Sequence, residues 1–224
     1  MSISLPFSPE QFFAVFARYN ETVWPMPIAL NSAALLSIAL LLVPGAWPSF
    51  VITLILALLW AWMAIAYHIA FFTSINPAAW LLGMGFLLGS LAFAWHGIAR
   101  PDLNFRFVRG VRGISGAALI VFALVLYPVI GYFLGHRYPA APTFGLPCPT
   151  TIFTLGLLLF AASPLPKAVL LVPLLWAAVG ALAAFQLGVY EDLALVIAGV
   201  VTIVVMLVQR VPLHPLAGAE VREK

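Results

Sequence analysis

The chain has 224 residues, 64% of them hydrophobic and only 8% charged, whereas a soluble domain carries about a quarter charged residues. That composition excludes a water-soluble fold and leaves room for several bilayer spans, each needing roughly 20 apolar residues. A net charge of +3 does not make a nucleic-acid-binding surface, and a single cysteine, Cys148, excludes an intramolecular disulfide or a zinc site built from several thiolates.

The N-terminus has no basic region followed by an apolar core and a cleavage site, so no removable signal peptide is expected and the first spans must target the chain. It opens instead on a helix start. Ser8 is placed to cap, Pro9 suits the first helical position, Gln11 completes a capping box, and Phe7 is placed to staple onto Phe12. The helix that follows is too short to span. Phe12, Phe13, Val15, Phe16 and Tyr19 alternate with Gln11, Arg18 and Asn20, which reads as an interfacial helix along the bilayer surface or one packed on the protein's own spans. Residues 1–23 form this unit.

Seven apolar runs follow at 24–43, 49–72, 77–98, 113–134, 150–162, 166–187 and 193–208. They predict an all-α integral membrane fold of seven transmembrane helices over 24–209, with a cytoplasmic tail at 210–224. Prolines mark many boundaries, and Pro128 and Pro173 fall inside runs where they should kink a helix. The fifth run is short and follows a Pro-rich stretch, 138–149, so a re-entrant segment buried in protein is the alternative.

The connection after the third run carries Arg100, Arg106, Arg109 and Arg112 against Asp102, which places it in the cytoplasm. Seven spans then put Lys167, Arg210, Arg222 and Lys224 inside as well, and Glu191 and Asp192 outside in a purely acidic loop. The N-terminus is outside and the C-terminus inside. Residues 41–61 also echo 157–177, pairing Pro48 with Pro164 and Leu58-Leu59-Trp60-Ala61 with Leu174-Leu175-Trp176-Ala177. That spacing suggests a 3+1+3 parallel repeat, an arrangement known in sugar transporters of the SWEET type. Gly85 with Gly89, and Gly131 with Gly135, are spaced for close helix packing.

No Asp, Glu, Lys or Arg sits near the middle of a run, which argues against a proton pump or voltage sensor, and the last run lacks the lysine a retinal protein requires. The polar residues instead collect at the outer face. Tyr19, Glu21, Tyr67, His68, Asn76, His136 and Cys148 come from distant segments to one side of the membrane on this topology. Imidazole, thiol, carboxylate and amide groups together suit a small polar solute, or a soft metal ion such as copper or zinc; the sequence itself specifies neither a metal set nor a cofactor. Each residue also has a plainer reading. His68 can hydrogen-bond a neighbouring helix, Pro147-Cys148-Pro149 can be a rigid turn, and the tyrosines fit an interfacial aromatic belt. Arg106 and Arg109, flanked by Phe105 and Phe107, suit anionic head groups.

The segments Pro9-Glu10-Gln11-Phe12-Phe13, Tyr19-Asn20 to Trp24-Pro25, Ile75-Asn76-Pro77-Ala78-Ala79 and Gly145-Leu146-Pro147-Cys148-Pro149-Thr150-Thr151 resemble those of a bacterial multi-pass membrane family known as domain of unknown function 6064. The resemblance covers nearly the whole chain. It implies a bacterial inner membrane protein and no particular activity. Three functions remain open on the sequence: a binder or transporter of a small polar solute or metal ion through a site open to the outer face, a non-catalytic accessory or structural subunit with a membrane-protein partner, or a membrane-embedded enzyme, which requires His68, His136 and Cys148 or Glu21 in one pocket.

Overall fold

A computed structural model describes residues 6–162, 164–209 and 213–214, and the greater part of the proposed tail lies outside them. The fold is all-helical, apart from a two-residue parallel pairing of β1 (Leu165–Pro166) with β2 (Leu213–His214). Among the described residues, five helical stretches are long and apolar enough to cross a membrane: Ala46–Ser74, Ala79–Ala99, Gly110–Phe133, Lys167–Ala184 and Tyr190–Val208.

The first helix, α1 (Pro9–Val23), starts as its sequence dictates. The Gln11 backbone N–H donates to Ser8 Oγ at 3.3 Å and the Ser8 N–H to Gln11 Oε1 at 2.9 Å, while the rings of Phe7 and Phe12 stack at 5.9 Å. Its buried face, Phe12, Val15, Phe16, Tyr19 and Asn20, packs on the protein's own helices. The chain bends by 84° into α2 (Met26–Leu40). Then α3 (Ala46–Trp62) continues through a π-helical stretch, Met63–Ile69, and a 3-10 turn, Phe72–Ser74.

Next, α4 (Ala79–Ala94) is extended by Trp95–Ala99, and α5 (Gly110–Val121) passes through a π stretch, Phe122–Leu126, into α6 (Tyr127–Phe133). Pro128 lacks the N–H that would bond one turn back, and the widened turn directly precedes it. Helix α8 (Lys167–Leu187) carries Pro173 in its interior, and a 3-10 turn, Tyr190–Leu193, leads into α9 (Ala194–Val208).

The fifth apolar run folds as α7 (Pro147–Leu158), 12 residues long and so about 18 Å. It is the hub of the bundle. Pro147 and every residue from Pro149 to Leu158 are buried, and α5, α8 and α9 pack around it. Its backbone touches that of α5, because a Cβ on Gly156 would lie 2.9 Å from the Gly116 carbonyl oxygen and one on Gly116 2.8 Å from that of Gly156. These two glycines make the close approach. Of the glycines expected to do so, Gly85 has nothing within 4 Å of a built Cβ, while Gly89 faces the Trp60 ring.

The last carbonyls of a helix have no partner within it, and the arginine-rich connection supplies donors just past the end of α7. The Arg106 N–H donates to Phe160 O at 3.1 Å and the Arg112 guanidinium to Ala161 O, while in return Asn104 O accepts from the Ala162 N–H at 2.6 Å. The same connection reaches Leu41 O through the Phe107 N–H at 3.0 Å and Ser49 through the Phe105 N–H at 2.9 Å. One end of the bundle therefore gathers residues 41–49, 100–112, 159–162 and 164–166. The opposite end gathers α1, 67–76, 134–147 and 188–192.

Candidate functional site

At that opposite end, α1 and the segment 134–146 cover a cavity of about 130 Å³. Asn20 ties the cover together. Its side chain is fully buried, donates to Pro139 O at 2.6 Å and Ala141 O at 2.8 Å, and accepts from Thr143 Oγ1 at 2.7 Å. Gly145, with φ of 102°, turns the segment into α7 where a side chain would be strained. Its N–H bonds Thr150 Oγ1 at 3.0 Å, and a Cβ there would collide with Leu30 Cδ1.

The cavity walls are largely aromatic and aliphatic. Phe7, Phe12 and Phe16 come from the N-terminal segment, Tyr67 and Phe72 from the end of the α3 stretch, and Leu146, Pro147 and Pro149 from the entry to α7. Trp176, Val179, Gly180, Ala183, Ala184 and Leu187 line it from α8. Asn76, Cys148 and Asp192 supply the polar points besides Tyr67 and Trp176. Val179 both lines the cavity and is 47% exposed on the outer surface of α8.

Of the residues singled out in the sequence, the structure brings Tyr67, Asn76 and Cys148 to this one cavity. Tyr19 stands one layer away, its hydroxyl accepting from Trp62 Nε1 at 2.6 Å and its ring edge-on to Tyr67. Glu21 is exposed. His136 is a linker: its ring stacks on Phe13 at 4.6 Å and its Nδ1 lies 2.6 Å from Glu191 Oε1. His68 is fully buried among Tyr67, Phe72, Phe86 and Trp176. Neither of its ring nitrogens has a partner, and it does not line the cavity.

Sequence reasoning placed Glu191 and Asp192 in a solvent-facing acidic loop, and the structure buries them, at 3% and 4% exposure. Asp192 accepts from the Tyr127 hydroxyl and lines the cavity together with Cys148. Glu191 pairs with His136, and Gly131 leaves room for it, since a Cβ there would lie 3.0 Å from Glu191 Oε1. The Glu191 Oε2 has no partner. Asp192, Tyr127 and Trp176 are thus site residues the sequence reading missed. The available signal was an acidic pair between two apolar runs with no cation beside it in the chain.

Among the described residues no group of three or more His, Cys, Asp or Glu is arranged to hold a metal ion. Neither His68 nor His136 joins Cys148 in this cavity, whereas the enzyme reading requires both histidines to share a pocket with Cys148 or Glu21.

The fold is that of an all-helical protein with several helices apolar enough for a membrane and a covered cavity between the N-terminal helix, α7 and α8. The chain belongs to the family of unknown function DUF6064, whose model matches residues 9–214. No curated protein and no solved structure matches it.

Proposed function

We propose that this is a multi-pass inner-membrane protein that binds a small amphipathic molecule in the cavity beneath α1, from the outer leaflet or the outer face. The observation that carries the reading is the cavity itself: aromatic and aliphatic walls with Asn76, Cys148 and Asp192 as polar points. Its volume of about 130 Å³ compares with the roughly 150 Å³ of an apolar cavity that holds benzene, so a ring-sized group fits. The walls narrow the sequence-based expectation of a polar solute or metal ion toward a mostly apolar ligand with a hydrogen-bonding end.

In this proposal α2 and α7 cross with the five long helices, making seven crossings with the N-terminus outside. Support comes from the two ends of the bundle, which each helix from α2 to α9 joins, with α5 and α6 counted as one, and from the arginines gathered at one of them. A short α7 is tolerated because protein surrounds it and its end carbonyls are bonded. The 3+1+3 repeat belongs to the same reading. It is supported by Trp60 and Trp176, the aligned tryptophans, which both pack on Phe86, at 4.8 and 5.0 Å. The helix α1 lies along the outer surface as the cover.

Photo-crosslinking tests the site. A diazirine-bearing amphiphile should label peptides covering 142–149 and 176–187, and Ala183→Phe, which fills the cavity, should abolish that labelling. Labelling spread evenly over the exposed faces and indifferent to Ala183→Phe would reject it. The accessory-subunit reading rests on the tight apolar packing around His68 and predicts that indifferent result.

A further inference from the structure

The cavity has one ionisable carboxylate in its wall, Asp192, and six aromatic side chains around it: Phe7, Phe12, Phe16, Tyr67, Phe72 and Trp176. Among the described residues, no Lys, Arg or His lines it. Of the histidines at this end, His136 is engaged by Glu191 at 2.6 Å, and His68 lies behind Tyr67, Phe72 and Trp176 without lining the cavity. Tyr127, whose hydroxyl donates to Asp192, and Cys148, which shares the cavity wall with it, bring no positive charge.

A carboxylate held in a low-dielectric wall without a counter-charge is costly, and a cation in contact with it offsets that cost. Aromatic faces attract a cation through their quadrupole, and substituted ammonium ions, which shed water easily, gain most from such a cage. A metal ion is a poorer match, because it needs several oxygen, nitrogen or sulfur ligands and the described residues provide no such set.

On the proposed cavity function, we infer that the occupant carries a small alkyl-substituted ammonium group, seated between the aromatic rings with its charge toward Asp192. The same group occurs in free organic cations and in lipid head groups, and Val179, at once cavity wall and outer surface, gives either source a way in.

The test uses the full chain in nanodiscs of phosphatidylglycerol, where no lipid offers an ammonium, and isothermal titration calorimetry with two probes. Choline carries the charge, and 3,3-dimethylbutan-1-ol is its neutral isostere with carbon in place of nitrogen. Choline should bind at least about tenfold more tightly than the isostere, a difference of about 1.4 kcal/mol. Asp192→Asn, which keeps an acceptor for Tyr127, should remove that preference.

Equal binding of the two probes to the unaltered chain, lost in Ala183→Phe, would overturn the cation and leave the cavity standing. Absence of binding by both probes, with amphiphile labelling indifferent to Ala183→Phe, would overturn the cation and the cavity together. Repeating the choline titration with phosphatidylcholine in the nanodisc assigns the source. Suppressed binding supports a lipid head group as the cation, and unchanged binding supports a free one.

Discussion

The contact between α5 and α7 makes one substitution type act with opposite signs at two positions. At Gly156 an added Cβ would sit 2.9 Å from the Gly116 carbonyl oxygen, 3.0 Å from Ile120 Cγ1 and 3.0 Å from Leu119 Cβ. Carbon and oxygen ordinarily approach to about 3.3 Å even in favourable contacts, and the obstructing atom is backbone, which a rotamer change cannot move. Overpacking of this kind costs about 1–3 kcal/mol, while alanine in place of glycine returns about 1 kcal/mol of helix propensity. Gly156→Ala should therefore lose up to about 2 kcal/mol, or several degrees of melting temperature at about 2–4 °C per kcal/mol for a chain of this size. Gly85→Ala meets nothing within 4 Å and should gain about 1 kcal/mol. Thermal melts of both variants in one detergent decide the matter. If Gly156→Ala melts at or above the unaltered protein, the backbone contact that centres α7 in the bundle is wrong.

Three further outcomes follow from the polar contacts. Asn20→Ala deletes three hydrogen bonds between α1 and residues 139–143, at a cost of about 2–4 kcal/mol, and should speed maleimide labelling of Cys148 from the outer side; an unchanged rate would mean that Asn20 does not hold the cover. His68→Phe removes two unpartnered ring nitrogens while keeping a ring among the aromatic neighbours, so its melting temperature should match or exceed that of the unaltered protein, and amphiphile labelling should persist. A drop in both would return His68 to the binding site. His136→Phe leaves both oxygens of Glu191 unpaired and should destabilise by about 1–3 kcal/mol, whereas the double change with Glu191→Leu should recover most of that loss; additive losses would show that the pair is not coupled.

How far the sequence discloses these features depends on how local their causes are. The start of α1 is legible because Ser8, Pro9 and Gln11 act within one turn, and the widened turn before Pro128 because proline's missing N–H acts on its own helix. Helix α7 was the hardest element to read, for a physical reason. A helix buried on every side has no polar face, so its sequence shows neither a 3.6-residue stripe nor the length of a full span. Its centre is fixed instead by Gly116, 40 residues away in the chain, and its end by donors in the arginine-rich connection.

The site separates along the same line. Tyr67, Asn76 and Cys148 could be assigned to one end of the bundle because helix order and the position of the arginines determine which end each residue reaches. Which of them share a cavity is set by side-chain packing, and that put His68 behind the wall and Glu21 on the surface. The acidic pair shows the cost of reading charge by loop position alone. Glu191 and Asp192 lie in a connection, where carboxylates are normally solvated, yet their partners His136 and Tyr127 stand 55 and 65 residues earlier. Burial becomes affordable only when those partners fold against them. The pair then becomes asymmetric, since Glu191 meets an imidazole and Asp192 only neutral donors. On the proposed reading, that asymmetry leaves Asp192 as the carboxyl in the cavity wall that a cationic ligand would meet.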